Sequence, residues 1–292
     1  MVRRRRRLSR ARLLALLLPA LIAAAVLHGW RPVSEQYVFA GTPRAVSWSA
    51  RLTTHHLVNP GFALGYSEWR AAPLWVGYVA RDPAAGTPHE RPDSFAVDAR
   101  TLRRIDGDAY RSSGYDRGHL APNYLISRAY GREAQRASFR MSNIVPQLPR
   151  HNQLLWQRLE EIEADAIAPR YRRVWVLAGP VYGAAPRYLP SGVAIPEAFY
   201  RVWLREDADG TPRALAFLVP QEVCGFEPLV DFVVPVARIE RRTGLDLFSA
   251  LPDPEEAALA GASGLEDWPE IADASTSARY GDRWRGEPCP FR

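Results

Sequence analysis

A mixed α/β (α+β) domain, helices and an antiparallel sheet in one unit, is predicted by three features of the sequence. Several runs of seven to eleven residues alternate apolar and small or polar side chains, as half-buried strands do. One stretch after Pro149 instead carries apolar residues at helical spacing. Between two of the alternating runs stands Asp209-Gly210, a dipeptide that fits the tight turn of a β-hairpin.

Taken in order, residues 31–54 read as a lead-in of mixed composition. Strand candidates follow at Leu74 to Ala80 (LWVGYVA) and, after a proline-rich loop, at Phe95 to Thr101 (FAVDART). Ser138 to Gln147 (SFRMSNIVPQ) reads as a short buried strand ended by proline. In HNQLLWQRLEEIEADAI, Leu154, Leu155, Leu159, Ile162 and Ile167 make one apolar helix face. Arg172 to Tyr182, Ala198 to Asp207 and Arg213 to Glu222 are three further strands, the last two forming the hairpin around Asp209-Gly210. LVDFVVPVARIERRTGLDLF supplies a strand or short helix. From residue 251 to 292 Ala, Glu, Asp, Pro and Gly dominate, and an irregular tail is expected. The folded domain is thus expected over residues 55–250.

Charge is unevenly placed. The formal net charge is +6, but Arg3 to Arg7, Arg10 and Arg12 supply seven positive charges with no acid among them, so the remainder carries −1. A nearly neutral domain gives no global argument for a polyanion partner, and any grip on phosphate must come from local arginines. Every basic side chain other than histidine is arginine, since the chain has no lysine. The apolar run from Leu13 to Leu27 follows, about 22 Å long as a helix against roughly 30 Å of bilayer hydrocarbon. With Ala23 and Ala25 offering a small-residue cleavage site, residues 1–30 read as a secretory signal peptide or an N-terminal membrane anchor, with a mitochondrial presequence the weaker option. An exported, periplasmic, extracellular or membrane-anchored protein is expected. In such a chain Cys224 and Cys289 are expected to be bridged, which would tie the tail to the domain; two unrelated thiols are the alternative.

The chemistry concentrates in two stretches. In SGYDRGHLAP, His119 stands two residues from Arg117, so the two share a face if the segment is a strand. A histidine that is mostly neutral above pH 7 can act as a base, and a permanently charged planar guanidinium beside it suits a phosphate. Gly118 between them is expected to give room for a bulky anion. In SNIVPQLPRHNQLLWQRLE, Asn143, Asn152 and Glu160 lie on or near the expected helix. An asparagine at a helix start is usually a cap, yet its amide oxygen is also a ligand for a hard cation such as Mg²⁺. Glu160, eight residues beyond Asn152, lies about 12 Å along a helix and some 80° around it, too far for both to ligate one ion directly. A zinc hydrolase is disfavoured because no His/Cys ligand cluster surrounds His119.

YDRGHLAP, SNIVPQ and NQLLWQRLE, in that order, resemble the signature of the DNA/RNA non-specific endonucleases. The likeness extends more loosely from about Leu57 to Phe248. It implies a ββα-metal core, a hairpin crossed by a helix, within the larger mixed domain. It further implies His119 as general base, Asn152 as the direct protein ligand of Mg²⁺ (or Mn²⁺), Glu160 holding metal-bound water, and Arg117 with Asn143 stabilising the phosphate. Asp116 is expected to support the loop. Arg201 stands where the family often has lysine, which carries no weight in a chain without lysine. The expected partners are DNA and RNA substrates and, if the N-terminal segment stays uncleaved, the membrane; a homodimer is compatible. The rival reading is a catalytically silent, membrane-tethered nucleic-acid-binding protein of the same fold.

Overall fold

The computed structural model describes residues 33, 36–82, 89–171, 173–261, 264–272 and 279–291. The targeting segment expected over residues 1–30 lies outside them. Among the described residues no helix is long and apolar enough to cross a membrane.

Six antiparallel strands form the central sheet in the order β2-β3-β4-β7-β8-β9: β2 (Thr54–Asn59), β3 (Phe62–Ser67), β4 (Ala72–Ala80), β7 (Val174–Val181), β8 (Ala198–Glu206) and β9 (Pro212–Pro220). The β8–β9 hairpin forms as its turn predicts, with Glu206 opposite Pro212 and Gly210 at φ 84°. Both faces of this sheet are covered, so its strands are buried almost throughout. Successive side chains of β8 alternate between the two cores. Phe199 and Trp203 enter the larger one, Tyr200, Val202 and Leu204 the smaller.

On the larger core's side lie α2 (Asn123–Ser138), which breaks from helical geometry at Gly131, and the long helix α3 over residues 151–171. The apolar face read from the sequence is the one α3 buries: Leu154, Leu155, Leu159, Ile162 and Ile167 are all at most 4% exposed. Two short strands, β5 (Asp116–His119) and β6 (Ile144–Gln147), pair antiparallel beside it. On the opposite side α4 (Val236–Thr243), the pair β1 (Arg44–Ala45) with β10 (Leu245–Asp246), and α5 (Asp253–Gly261) close the smaller core. The lead-in also holds the short helix α1 (Trp48–Thr53).

Two expectations need correction, and two elements go beyond what the sequence pattern predicts. Phe95 to Thr101 is not a strand: Ala96 makes a single bridge to Arg140, and Asp98 turns the chain by binding Arg100 and Ser142. The hairpin β2–β3 was not foreseen, nor was α2, whose pattern Gly131 interrupts. The tail is not irregular throughout. It folds into α5 and α6 (Pro269–Ala272) because Leu259, Ala260, Trp268 and Ile271 find apolar surface to bury against. Cys224 and Cys289 are joined in a disulfide.

Candidate active site

Ribbon β5–β6 and helix α3 meet along a cleft of about 340 Å³ lined by Arg117 and His119 from the ribbon, Asn152, Gln153, Gln157, Glu160 and Glu161 from α3, and Arg91. Arg117 and His119 share the cleft as their two-residue spacing predicts. Asn152 and Glu160, offset along α3, both reach it as well. Asn143 does not. It is wholly buried, and its amide is spent on backbone: Oδ1 accepts from Ala121 N–H, and Nδ2 donates to the Ala121 and Ser138 carbonyls. It fixes the turn that follows His119 and has no atom left for a phosphate.

His119 sits between Phe95 and Phe139, with ring centroids at 5.5 and 4.8 Å. Burial among these rings, helped by the charge on Arg91, pushes its pKa down to about 3, so the imidazole is neutral throughout the physiological range. Nε2 is buried with no partner among the described residues. The backbone at this point is pinned by Trp156, whose indole N–H donates to the His119 carbonyl at 3.2 Å. Arg117 lies over Phe95, its guanidinium carbon 4.8 Å from the ring centre.

Gly118 is needed for a reason other than room for substrate. A Cβ there would meet Gln147 Oε1 at 1.9 Å, so the space is already filled by that buried side chain across the ribbon. The sequence reading of Gly118 is corrected accordingly.

Asp116 has a defined task. Its Oδ2 accepts from Asn152 Nδ2 at 2.9 Å and from Gln153 Nε2 at 2.8 Å. A carboxylate oxygen cannot donate, so the contact orients the Asn152 amide and leaves Oδ1 for another group.

Beneath Glu160 lies a buried charge network that the sequence did not reveal. Arg201 is fully buried, and its Nη1 donates to Glu163 at 3.1 Å. Glu163 also accepts from Tyr78 and Trp203. Arg201 Nη2 lies 3.6 Å from Glu160 Oε1, and its guanidinium stacks over Trp156 at 4.4 Å. Burial nevertheless raises the Glu160 pKa to about 8; Arg201 works against that shift and Glu163 adds to it. Period-two alternation in β8 puts Arg201 on the same face as Phe199 and Trp203, a clue available in AFYRVWL but unreadable without knowing what packs there.

The oxygens offered to the cleft suit a hard cation. Asn152 Oδ1 is left over by Asp116, Gln157 Oε1 is buried without a partner among the described residues, and Glu160 adds a carboxylate. Among the described residues, the His/Cys/Asp/Glu group close enough to cage an ion is Glu240, Asp246 and Glu256, none of which lines the cleft.

A two-stranded ribbon crossed by a helix, with a neutral histidine on one and an amide and a carboxylate on the other, defines a ββα-metal nuclease core within a mixed α/β domain. The chain belongs to the DNA/RNA non-specific endonuclease family, whose sequence model matches residues 44–254. It is 31% identical over 240 residues to the human mitochondrial nuclease EXOG, covering 76% of this chain and 61% of EXOG. Human mitochondrial endonuclease G is 30% identical over 201 residues (63% of this chain, 66% of that protein). A nuclease of Nostoc sp. is 26% identical over 231 residues (75% and 82%). The chain thus spans about three fifths of the length of the EXOG proteins. Among solved structures, that of an EndoG/EndoGI complex superposes with a TM-score of 0.61 at 26% identity, over 69% of this chain and 88% of the other.

Proposed function

We propose that this protein is a metal-dependent, sequence-non-specific endonuclease that hydrolyses phosphodiester bonds of DNA and RNA, with His119 as general base. The observation that carries the reading is the shared cleft: a neutral, unpartnered imidazole nitrogen opposite Asn152 Oδ1 and Glu160, with Arg117 between aromatic wall and solvent.

In this reading a water in the cleft gives its proton to the His119 ring, which is unprotonated at neutral pH; burial and Arg91 weaken it as a base, and an anionic phosphate bound beside it would raise its pKa toward the working range. Phe95 and Phe139 hold the ring in place. Arg117 pairs with non-bridging phosphate oxygens and stabilises the charge that grows as water attacks. Asn152 would hold Mg²⁺ (Mn²⁺ the substitute) directly and Glu160 through a bound water, with Gln157 lining the same cleft. Bound there, the ion would supply Lewis-acid stabilisation of the phosphate and assist the departing 3′ oxygen. Every proposed group addresses phosphate rather than base or sugar, so neither sequence nor sugar is discriminated. The named nucleases among its relatives favour turnover over a silent binder of the same fold.

The place of action rests on residues 1–30. Export or membrane anchoring is the proposal from their composition, and mitochondrial import gains support from the mitochondrial relatives. The Cys224–Cys289 disulfide fits an oxidising compartment.

A plasmid-nicking assay tests the function. Mg²⁺-dependent conversion of supercoiled to open and linear DNA is expected, abolished by EDTA and reduced roughly 10²- to 10⁴-fold by His119→Ala. Cleavage that survives EDTA, or that His119→Ala leaves at the original rate, overturns the assignment.

A further inference from the structure

The tail beyond residue 278 lies outside the region that matches the family, yet two of its residues, Arg279 and Tyr280, line the same cleft as His119, Asn152 and Glu160. Several independent contacts hold it there. The Cys289 bridge to Cys224 closes a 65-residue separation. Arg150, only 6% exposed, donates to the carbonyls of Cys224, Glu287 and Pro288 and stacks over Trp284 at 4.7 Å. Gly281 is buried.

So anchored, the tail delivers charge and an aromatic face to the cleft wall. Arg279 Nε meets Glu161 at 3.3 Å, while about half of its side chain stays open to solvent and its guanidinium lies 5.2 Å from the centre of the Tyr124 ring. Tyr280 is exposed, with Arg283 over its ring at 4.9 Å. Arg91 and Arg117 line the same cleft. A polyanion laid along this cleft would meet Arg91, Arg117 and Arg279, and Tyr280 offers a surface on which a base can stack.

We infer that the disulfide-anchored tail is one wall of the nucleic-acid groove, with Arg279 contacting a substrate phosphate beside the scissile one. This rests on the nuclease reading for the identity of the ligand, but not on turnover. Each phosphate neutralised by an arginine releases condensed counterions, so its removal has a signature distinct from a loss of folding: a shallower salt dependence of binding.

The test is fluorescence anisotropy with a fluorescein-labelled 20-base-pair DNA duplex in EDTA, where cleavage is prevented, across 20 to 200 mM NaCl. Arg279→Ala is expected to weaken binding about fivefold at low salt and to reduce the slope of log affinity against log salt by about 0.9. Arg285→Ala removes the same charge from the same tail, at a residue paired with Asp282 and not lining the cleft, and should leave the slope as it was. Cys224→Ser/Cys289→Ser, which frees one of the tail's anchors, should weaken binding by no more than Arg279→Ala does, and a loss larger than that of Arg279→Ala overturns the inference. Equal slopes for the wild type and Arg279→Ala overturn the inference. Tighter binding by either tail variant also overturns it, because the tail would then be a plug held by Glu161. Failure of the wild type to nick DNA in Mg²⁺ would instead remove the catalytic reading and leave the binding result standing.

Discussion

Asp116 Oδ2 and Asn152 Nδ2 lie 2.9 Å apart, so an aspartate on the ribbon fixes which end of an amide on the crossing helix faces the cleft. Ribbon and helix are joined at the point where a cation would be held. Asp116→Ala should therefore weaken Mg²⁺ binding about 10- to 100-fold, as loss of a group orienting a ligand commonly does, while the far-UV spectrum stays native. Titration calorimetry with Mg²⁺ on the wild type and this variant measures it. Asn152→Ala should remove the binding altogether.

Burial pushes the Glu160 pKa up to about 8, so below that pH a cation held beside it, through water, must displace its proton. The apparent Mg²⁺ affinity should rise by up to about tenfold per pH unit between pH 6 and 8 and flatten above. Glu160→Gln should lose this slope. Calorimetry in buffers of different ionisation enthalpy would count the proton released.

Arg201 is the buried partner of both Glu160 and Glu163. Arg201→Met leaves the buried Glu163 carboxylate without its counter-charge, and a loss of about 3–5 kcal/mol is expected from denaturant unfolding. Arg201→Lys keeps the charge but not the fork that reaches both acids, so a smaller loss is expected.

His151 is fully buried, and its Nδ1–H donates to the Pro220 carbonyl at 2.9 Å. Burial lowers its pKa to about 4, as it lowers that of His119 to about 3. Each group's folded pKa lies below its unfolded value near 6.5, so the unfolded chain binds more protons in between. The stability that each neutral ring secures is present above pH 6.5 and lost as pH falls toward the folded pKa. For His151 this amounts to on the order of 3 kcal/mol. Melting temperatures across pH 4 to 7 should fall with acid, and more gently for His151→Gln.

Gly118→Ala places a methyl group against Gln147 and should cost about 1–3 kcal/mol, with lowered nicking because His119 is the next residue. Gly118→Ala combined with Gln147→Ala should recover most of the stability. A single variant as stable as the wild type would show that the ribbon can part without penalty.

What the sequence by itself determined was what local spacing encodes. The apolar face of α3 follows from Leu155, Leu159 and Ile162, the β8–β9 hairpin from Asp209-Gly210, and the pairing of Arg117 with His119 from strand alternation. The tertiary structure alone decided contacts between segments far apart in the chain. Asn143 and Asn152 are the same residue type nine positions apart, yet one is consumed by backbone groups and the other is turned to the cleft by Asp116. Arg201 reads as an ordinary strand arginine until Glu160 and Glu163 close over it, and Arg279 as a tail charge until the disulfide brings it to the cleft. The physical reason is common to these cases. Periodicity fixes which face a side chain takes, whereas a polar group's role depends on which partner desolvates and hydrogen-bonds it, and that partner comes from elsewhere in the chain.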